Sequence, residues 1–271
     1  MTDLLAAGVS RSLLDSGFAE VTLPSEGGTL LQEAITRSRA FFGLDAQVKK
    51  RHTSSDLNFG YRPMGVEYSI SPDRPDLNEC FTLWADRLDL IPAAEELAPL
   101  TDALLGWRGF LVPFVGDIVR HVADAFGDVT PPDFAKASYL QVNFYPQASS
   151  GGRDLLQDRH EDGHLLTVIH ATDPGLEIWD GLDGARAVST GAEQVLVMPG
   201  SVLTALTGGK VAPLYHQVRN HDLAGRISIM YFVNPELTEP LHPWNGDRKV
   251  DLRDQVRNKP SMFGLPDVPV L

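Results

Sequence analysis

The hydrophobic pattern changes its period part-way along the 271-residue chain, and this change restricts the possible folds more than any other feature. Before about residue 136, apolar residues recur every three or four positions, as they do on one face of an α-helix. Beyond it, short apolar runs are bounded by Gly, Pro and Asp, as in strands joined by turns. The chain is therefore expected to pack a helical layer outside a β-core.

Two helices are predicted in the first half from this spacing. One has apolar residues over 30–42 and stops at Gly43, and a longer one covers 97–126 and ends at Gly127. Pro113 lies inside the longer run. Because proline has no backbone N–H and its ring collides with the preceding turn, we expect a kink or two helices there.

Seven or eight short strands are predicted in the second half. The candidate segments are YLQVNFY (139–145), LLTVIHA (165–171), LEIWD (176–180), ARAVS (185–189), QVLVM (194–198), SVLTAL (201–206), LYHQV (214–218) and RISIMYFV (226–233). Short strands with such turns are typical of a closed barrel or a double-sheet jelly roll. We predict one domain over 1–271, with a mostly helical cover (1–135), a jelly-roll core (136–235) and a C-terminal cover (236–271).

Charge and cysteine content exclude several classes of function. The chain has 23 Lys and Arg against 36 Asp and Glu, a formal net charge of −13, so neither nucleic acid nor an anionic membrane is an expected partner. The single cysteine, Cys80, excludes an intramolecular disulfide framework and a thiolate zinc cage. No secretory signal pattern or membrane-length apolar run is present, so we expect a cytoplasmic protein.

A metal site is indicated by the segment RHEDGHLLTVI. His160 and Asp162 are two residues apart, and in an extended chain their side chains point to the same face. The best-placed third ligand is His216, in another predicted strand. Two histidines and one carboxylate form the facial triad of non-haem Fe(II) oxygenases, although the same set also suits a catalytic zinc of a hydrolase.

A second element follows the third metal candidate. Arg226 lies ten residues after His216, and Ser228 lies two further on, so the two share one face of a predicted strand. A guanidinium and a hydroxyl together suit a carboxylate. A surface salt bridge is the alternative for Arg226, but the apolar residues around it favour a buried strand. A zinc hydrolase would not explain this arginine.

These motifs, in this order, resemble the isopenicillin N synthase-like family of Fe(II)/2-oxoglutarate dioxygenases. The resemblance covers about residues 17–235, and the segments that carry it are GFAEVTL (17–23), RAFFGLDAQVKKR (39–51), GYRPMGVE (60–67), NFYP (143–146), HED (160–162), Thr167, GLEIW (175–179), TGG (207–209), HQV (216–218) and RIS (226–228). One departure is that family members commonly read Asp-x-Gly, whereas this chain has Gly163 directly after Asp162.

The resemblance implies a distorted double-stranded β-helix with helices on its larger sheet. It implies that iron is bound by His160, Asp162 and His216, and that Arg226 and Ser228 hold the distal carboxylate of 2-oxoglutarate in a site also lined by Asn143 and Tyr145. The cofactors would be Fe(II), 2-oxoglutarate and dioxygen, with succinate and carbon dioxide released. Because Asp162 occupies the place that a halide would need, hydroxylation or desaturation is favoured over halogenation.

The substrate is expected to be a small polar organic molecule, in natural-product biosynthesis by analogy with bacterial relatives. The elements that by resemblance close over the iron are GYRPMGVE, ECFTLW (79–84) and the stretch around Met262. The candidate substrate contacts are Tyr61, Arg62, Glu79, Phe81, His164 and Phe263. Two other functions stay open: a cosubstrate-free oxidase of the isopenicillin N synthase type, whose arginine would bind a substrate carboxylate, and a jelly-roll binding module without catalysis.

Overall fold

The computed structural model describes residues 2–146, 152–179 and 184–263. Its helices are α1 (Thr2–Ser16), α2 (Ser25–Phe42), α3 (Ala46–Lys50), α4 (Ala98–Asp124), α5 (Ser201–Leu206) and α6 (Arg253–Asn258). Its strands are β1 (Ala19–Thr22), β2 (Gly60–Arg62), β3 (Glu79–Leu83), β4 (Tyr139–Tyr145), β5 (Leu155–His160), β6 (Leu166–Ala171), β7 (Leu176–Trp179), β8 (Arg186–Ala187), β9 (Gln194–Pro199), β10 (Tyr215–Arg219) and β11 (Arg226–Val233). Short 3₁₀ segments lie at Leu88–Leu90, Ala94–Leu97 and Pro260–Phe263.

The strands form two antiparallel sheets. The larger has the order β1-β9-β6-β11-β4-β3-β2 and the smaller the order β5-β10-β7-β8. Apart from β2, β3 and β4 in the larger sheet and β7 and β8 in the smaller, neighbouring strands are not consecutive in the chain. Such pairing of non-consecutive strands is typical of a double-stranded β-helix, or jelly roll. The fold predicted from the sequence is confirmed.

A helical layer covers the outer face of the larger sheet. Helices α1 and α2 both pack on α4, and α2 also contacts β11. The ring of Phe42 in α2 stacks on that of Phe144 in β4, with centroids 5.0 Å apart. Helix α2 ends at Gly43, as the apolar spacing predicts, and its buried residues include Leu31, Ile35 and Phe41. The amphipathic helices therefore bury their apolar stripe against the sheet.

Helix α4 runs without interruption through Pro113. The expectation of two helices is therefore wrong. The apolar residues on both sides of the proline, including Leu111 and Phe114, are buried in the same core. Their burial holds the two halves in one helix, and tertiary packing outweighs the local preference of proline.

The segment SVLTAL was predicted as a strand and is instead helix α5. Its buried residues are Val202, Leu203 and Leu206, which recur at helical spacing. An apolar run of six residues fits either period, so periodicity alone could not decide between the two structures.

The two faces of the larger sheet have different roles. In β4, Gln141, Asn143 and Tyr145 point into the space between the sheets, while Leu140 and Val142 join the core beneath the helices. This alternation follows from the two-residue period of a strand.

Within the described ranges, no helix is both long and apolar enough to cross a membrane. Residues 264–271 of the predicted C-terminal cover lie outside the described part of the chain.

Candidate active site between the two sheets

A pocket lies between the sheets, lined by inward-facing residues of both. The larger sheet contributes polar residues of β4 and β11 together with apolar residues of β6, β9 and β11, and the smaller sheet contributes residues of β5, β7 and β10. His160, Asp162 and His216 all line it. The three residues proposed from the sequence as metal ligands therefore meet at one place.

The geometry of these three side chains fits one metal ion. One ligand atom from each lies within 4.8 Å of the others. The Asp162 Oδ1 atom is 3.7 Å from His160 Nε2 and 3.8 Å from His216 Nε2. His160 and His216 are cross-strand partners in β5 and β10, with ring centroids 4.3 Å apart. Strand pairing thus places the two imidazoles side by side.

Asp162 reaches the site from a loop, and not from a strand as the sequence suggested. His160 is the last residue of β5, and the next strand, β6, begins at Leu166. The Asp162 carbonyl oxygen accepts a 2.9 Å hydrogen bond from the Ser201 backbone N–H at the start of α5. Backbone contacts with α5 therefore hold the loop that carries the carboxylate.

Both histidines have a defined tautomer. The Nδ1 atom of His160 lies 2.7 Å from the Asp158 carbonyl oxygen, and that of His216 lies 3.2 Å from the Leu214 carbonyl oxygen. Because a carbonyl oxygen can only accept, each Nδ1–H donates, and each Nε2 lone pair is free to bind a metal. Burial, together with the nearby His216, lowers the pKa of His160, which favours the neutral, ligating form.

The carboxylate of Asp162 is kept ionised. Burial raises its pKa, but His216, His160 and His164, together with a hydrogen bond from Thr167, outweigh burial and hold this pKa below its ordinary value. The Thr167 hydroxyl donates to Oδ2 at 2.6 Å. This bond leaves Oδ1 directed at the histidines as the metal-binding oxygen.

Arg226 presents an unpartnered donor inside the molecule. The side chain is 1% exposed; its Nη1 donates to Ser228 Oγ at 2.7 Å, and its Nε donates to the Pro174 carbonyl oxygen at 3.2 Å. Its Nη2 has no hydrogen-bond partner among the described residues. A buried guanidinium N–H without a partner is costly, and a carboxylate would satisfy it together with the Ser228 hydroxyl.

Asn143 and Tyr145 lie beside this pair. In the sheet register, Asn143 is opposite Ser228, and Tyr145 is opposite Arg226. The Arg226 guanidinium lies over the Tyr145 ring, with 4.9 Å between Cζ and the centroid. Burial raises the pKa of Tyr145 to about 12, so the phenol is neutral and can donate. The four residues expected to bind the cosubstrate are thus adjacent on one face of the sheet.

Comparison with known proteins agrees with this geometry. Residues 137–235 match the model of the 2OG-Fe(II) oxygenase superfamily. This match covers the jelly-roll core of the chain. The chain is an Fe(II)/2-oxoglutarate-dependent dioxygenase, with Fe(II), 2-oxoglutarate and dioxygen as its cofactors, and the isopenicillin N synthase-like resemblance is consistent with the match.

Several curated relatives align with most of the chain. It is similar to the 2-oxoglutarate-dependent dioxygenase citB of Monascus ruber, at 24% identity, with 87% of this chain and 80% of the relative covered. It is also similar to the 2-oxoglutarate-dependent ethylene/succinate-forming enzyme of Ralstonia nicotianae, at 23% identity, with 91% and 82% covered.

Solved structures share the fold. A 2OG-Fe(II) oxygenase family protein from Caulobacter crescentus superimposes with a TM-score of 0.76 at 18% identity, with 95% of both chains covered. A full-length Neurospora crassa protein, solved in complex with alpha-KG and 5-formyluracil, gives a TM-score of 0.73 at 16% identity, with 92% of this chain and 87% of that chain covered.

Three of the substrate contacts expected in this dioxygenase are on the wrong side of the sheet. Tyr61 pairs with Phe81 in β2 and β3, and both rings pack edge-on against Phe41 of α2, with centroid distances of 6.0 and 5.2 Å. Glu79 forms a 2.5 Å ion pair with Lys49 of α3. Because alternate residues of a strand face opposite sides, these three residues support the helical layer and do not line the pocket.

Arg62, His164 and Phe263 lie behind the wall of the pocket. Arg62, 1% exposed, bonds to Gln141 Oε1 at 2.7 Å and to Thr82 Oγ1 at 3.0 Å. His164, expected to contact the substrate, is fully buried, and burial lowers its pKa to about 4. Phe263, also buried, packs edge-on against the His164 ring at 5.7 Å. We therefore correct all three from substrate contacts to supporting residues.

Sequence reasoning missed part of the lining. Gln141 is on the inward face of β4, two residues before Asn143, and the alternation of YLQVNFY could have revealed it. Glu67, the last residue of the segment GYRPMGVE that is expected to close over the iron, lines the pocket, and Asp76, which no sequence pattern indicated, lines it too. Asp76 lies in a loop between β2 and β3, where periodicity offers no signal.

Proposed function

We propose that this dioxygenase hydroxylates or desaturates a small polar organic molecule, and that it acts in natural-product biosynthesis. In this proposal His160, Asp162 and His216 bind the iron, and Arg226 and Ser228 bind the distal carboxylate of 2-oxoglutarate. Asn143 and Tyr145 line the same subsite. The observation that carries the cosubstrate assignment is the buried Arg226 Nη2, which no described residue satisfies.

The iron assignment is supported by the chemistry of the donor set. Two neutral imidazole Nε2 atoms and one carboxylate oxygen suit Fe(II) and leave open coordination positions. When bound, Fe(II) with 2-oxoglutarate and dioxygen supplies the oxidising power for C–H cleavage. The protein orients the ligands: the Asp158 and Leu214 carbonyls hold the histidine rings, and Thr167 holds the carboxylate.

The pocket supports a substrate of modest size with polar groups. Its apolar lining comes from both sheets and includes Ile169, Leu176, Met198, Val218, Met230 and Phe232. Its polar lining includes Glu67, Asp76, Gln141 and Gln157. The Neurospora crassa protein was solved with 5-formyluracil, a small polar molecule, beside alpha-KG. Asp162 occupies the ligand position that a halide would need, which favours hydroxylation or desaturation over halogenation.

The test is the dependence of oxygen consumption on 2-oxoglutarate. Iron-loaded protein is expected to form succinate from 2-oxoglutarate with uptake of dioxygen, slowly without substrate and faster with it. Asp162→Ala is expected to lose most iron binding and succinate formation, because the site loses its charged ligand. Asp251→Ala, which removes an exposed carboxylate paired with Arg253, is the matched control and is expected to behave as the parent.

Other outcomes identify the alternatives. Oxygen uptake that does not need 2-oxoglutarate would reassign the protein to the cosubstrate-free oxidases, with Arg226 on a substrate carboxylate. Absence of both iron binding and oxygen uptake would favour a jelly-roll binding module.

A further inference from the structure

The wall of the pocket formed by the segment between β2 and β3 carries a carboxylate that the proposed chemistry does not use. Asp76 lines the same pocket as His160 and is 1% exposed. Its backbone N–H donates to the Glu67 carbonyl oxygen at 2.9 Å, and the next residue, Leu77, bonds to the Leu156 carbonyl oxygen of β5 at 2.8 Å. The carboxylate is therefore held in place by the strand that ends at His160.

The two oxygens of Asp76 have different surroundings. Oδ2 accepts hydrogen bonds from Ser69 Oγ at 2.8 Å and from Gln157 Nε2 at 3.3 Å. Oδ1 is buried and has no partner among the described residues. An unsatisfied buried carboxylate oxygen is costly. An oxygen left in this state beside a reaction site is an expected feature of a ligand subsite, where the ligand supplies the missing donor.

The other buried charges near the pocket have partners. Glu67 accepts from Gln141 Nε2 at 2.7 Å and from Asn78 Nδ2 at 2.8 Å, and Arg62 Nη2 lies 3.4 Å from its carboxylate. Asp162 faces the two histidines and, in the proposed function, the iron. Asp76 forms no ion pair within the described part of the chain. Asp76 is thus the carboxylate of this pocket that lacks a counter-charge.

The charge balance of the loaded site then selects the class of ligand. Divalent iron, Asp162, doubly charged 2-oxoglutarate and Arg226 together sum to zero, and Arg62 cancels Glu67. Once Asp76 ionises, its negative charge has no counter-charge in a region of low dielectric, where an unpaired charge is expensive, so a cationic ligand is what stabilises its ionised form. A neutral hydroxyl would satisfy the hydrogen bond and leave the charge. A protonated amine satisfies both.

We propose that Asp76 is a specificity-determining residue that binds a protonated amino group of the substrate, so that the enzyme acts on an organic amine. The ammonium N–H donates to Asp76 Oδ1. This inference rests on the proposed function, because the ligand is taken to be the substrate of the iron site.

The probes are matched pairs of a primary amine and its alcohol: butylamine and butanol, cyclohexylamine and cyclohexanol, and benzylamine and benzyl alcohol. Binding to the protein with Fe(II) and 2-oxoglutarate under anaerobic conditions is measured by calorimetry and by thermal shift. At least one amine is expected to bind at least about tenfold more tightly than its alcohol, because a desolvated charge pair adds to the hydrogen bond.

Asp76→Asn is nearly isosteric and removes the charge. It is expected to weaken amine binding at least about tenfold and alcohol binding less than about twofold. Asp73→Asn, which neutralises an exposed carboxylate of the same loop, is the control and should change neither. Asp76→Ser is the second neutral variant in case the asparagine variant does not fold.

Several outcomes would overturn the subsite. One is that the alcohols bind as well as their amines, and another is that no amine binds at millimolar concentration. A third is that Asp76→Asn binds the amines as tightly as the parent, which would indicate that the amine coordinates iron directly. Failure of both Asp76 variants to fold would make the residue structural. Iron and 2-oxoglutarate binding are measured separately on the parent protein. Their loss refutes the proposed function, whereas their presence without amine binding refutes this inference alone.

Discussion

Gly163 and Phe263 lie so close together that one added methyl group would make them collide. A Cβ on Gly163 would lie 2.8 Å from Cζ of the Phe263 ring and 2.8 Å from the Met262 carbonyl oxygen. That carbonyl also accepts a 2.5 Å hydrogen bond from the Gly163 backbone N–H. Gly163 thus lies where the C-terminal 3₁₀ segment (Pro260–Phe263) packs against the loop between β5 and β6, called here the metal loop because it carries Asp162. This glycine is shifted by one position from the family's usual pattern.

Gly163→Ala is expected to displace the C-terminal segment. Overpacking of this kind costs about 1–3 kcal/mol, which urea unfolding would measure, and limited proteolysis should cleave the loosened segment faster. Gly109→Ala is the control, because Gly109 lies in α4 with nothing near its Cβ position; it should stabilise the protein by about 0.5–1 kcal/mol. Equal effects of the two substitutions would contradict the close contact.

Thr167→Val is expected to weaken metal binding. The variant removes the hydroxyl that donates to Asp162 Oδ2, so the carboxylate loses orientation and its pKa rises. Loss of such a supporting hydrogen bond typically costs about 10- to 100-fold in metal affinity. Metal titration would measure it, with Thr101→Val as control, because the Thr101 hydroxyl bonds to a carbonyl within the helical layer. Unchanged affinity in Thr167→Val would show that the bond does not orient Asp162.

Arg226→Ala is expected to raise the Michaelis constant for 2-oxoglutarate and to leave iron affinity nearly unchanged. Loss of one partner of a desolvated carboxylate costs about 2–5 kcal/mol. Arg226→Lys should recover part of this loss, since an ammonium supplies the charge without the planar fork. Steady-state kinetics with varied 2-oxoglutarate would measure both, with Arg253→Ala at an exposed ion pair as the control. A loss of iron binding would instead show that Arg226 supports the fold of the metal site.

Arg62→Met is expected to destabilise the protein and not merely to change its substrate. The guanidinium is buried and bonded to Gln141 and Thr82, with Glu67 nearby. Breaking a buried ion pair from one side costs about 3–5 kcal/mol, because the other charge is left unpaired. The double variant Arg62→Met with Glu67→Gln should recover much of the stability in urea unfolding. If the single variant is as stable as the parent, the charge network does not stabilise the fold.

The pH dependence of stability should carry a contribution from Asp76. Burial, together with the neighbouring Glu67, raises the pKa of Asp76 to about 7 from its ordinary value near 3.8. The folded state therefore holds a proton on this group that the unfolded state releases, and this stabilisation is complete below about pH 4 and is lost as the pH rises toward 7. Its full size is on the order of 4 kcal/mol.

Asp76→Asn removes this contribution, so the ligand-free variant should gain stability relative to the parent as the pH rises from about 4 to 7. Urea unfolding at both ends of this range measures the difference, and Asp73→Asn should show none. A constant difference between parent and Asp76→Asn across this range would exclude a raised pKa.

Local patterns in the sequence determined which faces of the strands carry the candidate cosubstrate-binding residues. The two-residue alternation in YLQVNFY puts Asn143 and Tyr145 on one face of their strand, and the alternation in RISIMYFV puts Arg226 and Ser228 on one face of theirs. Both assignments hold in the structure. They could be made from sequence because side-chain direction in a strand depends on its own two-residue period. The order of the iron and carboxylate motifs likewise indicated the family before any fold was known.

What only the tertiary structure decided is how separate segments meet. Whether Tyr61 and Phe81 face the pocket or the helices depends on which side of their strands the helices cover. Whether a short apolar run such as SVLTAL forms a helix or a strand is decided by its tertiary packing, because its hydrophobic pattern fits both. Asp76 reaches the pocket because its loop hydrogen-bonds to β5, and Phe263 reaches the metal loop because Gly163 leaves room for it. Such contacts join residues far apart in sequence, and local periodicity carries no information about them.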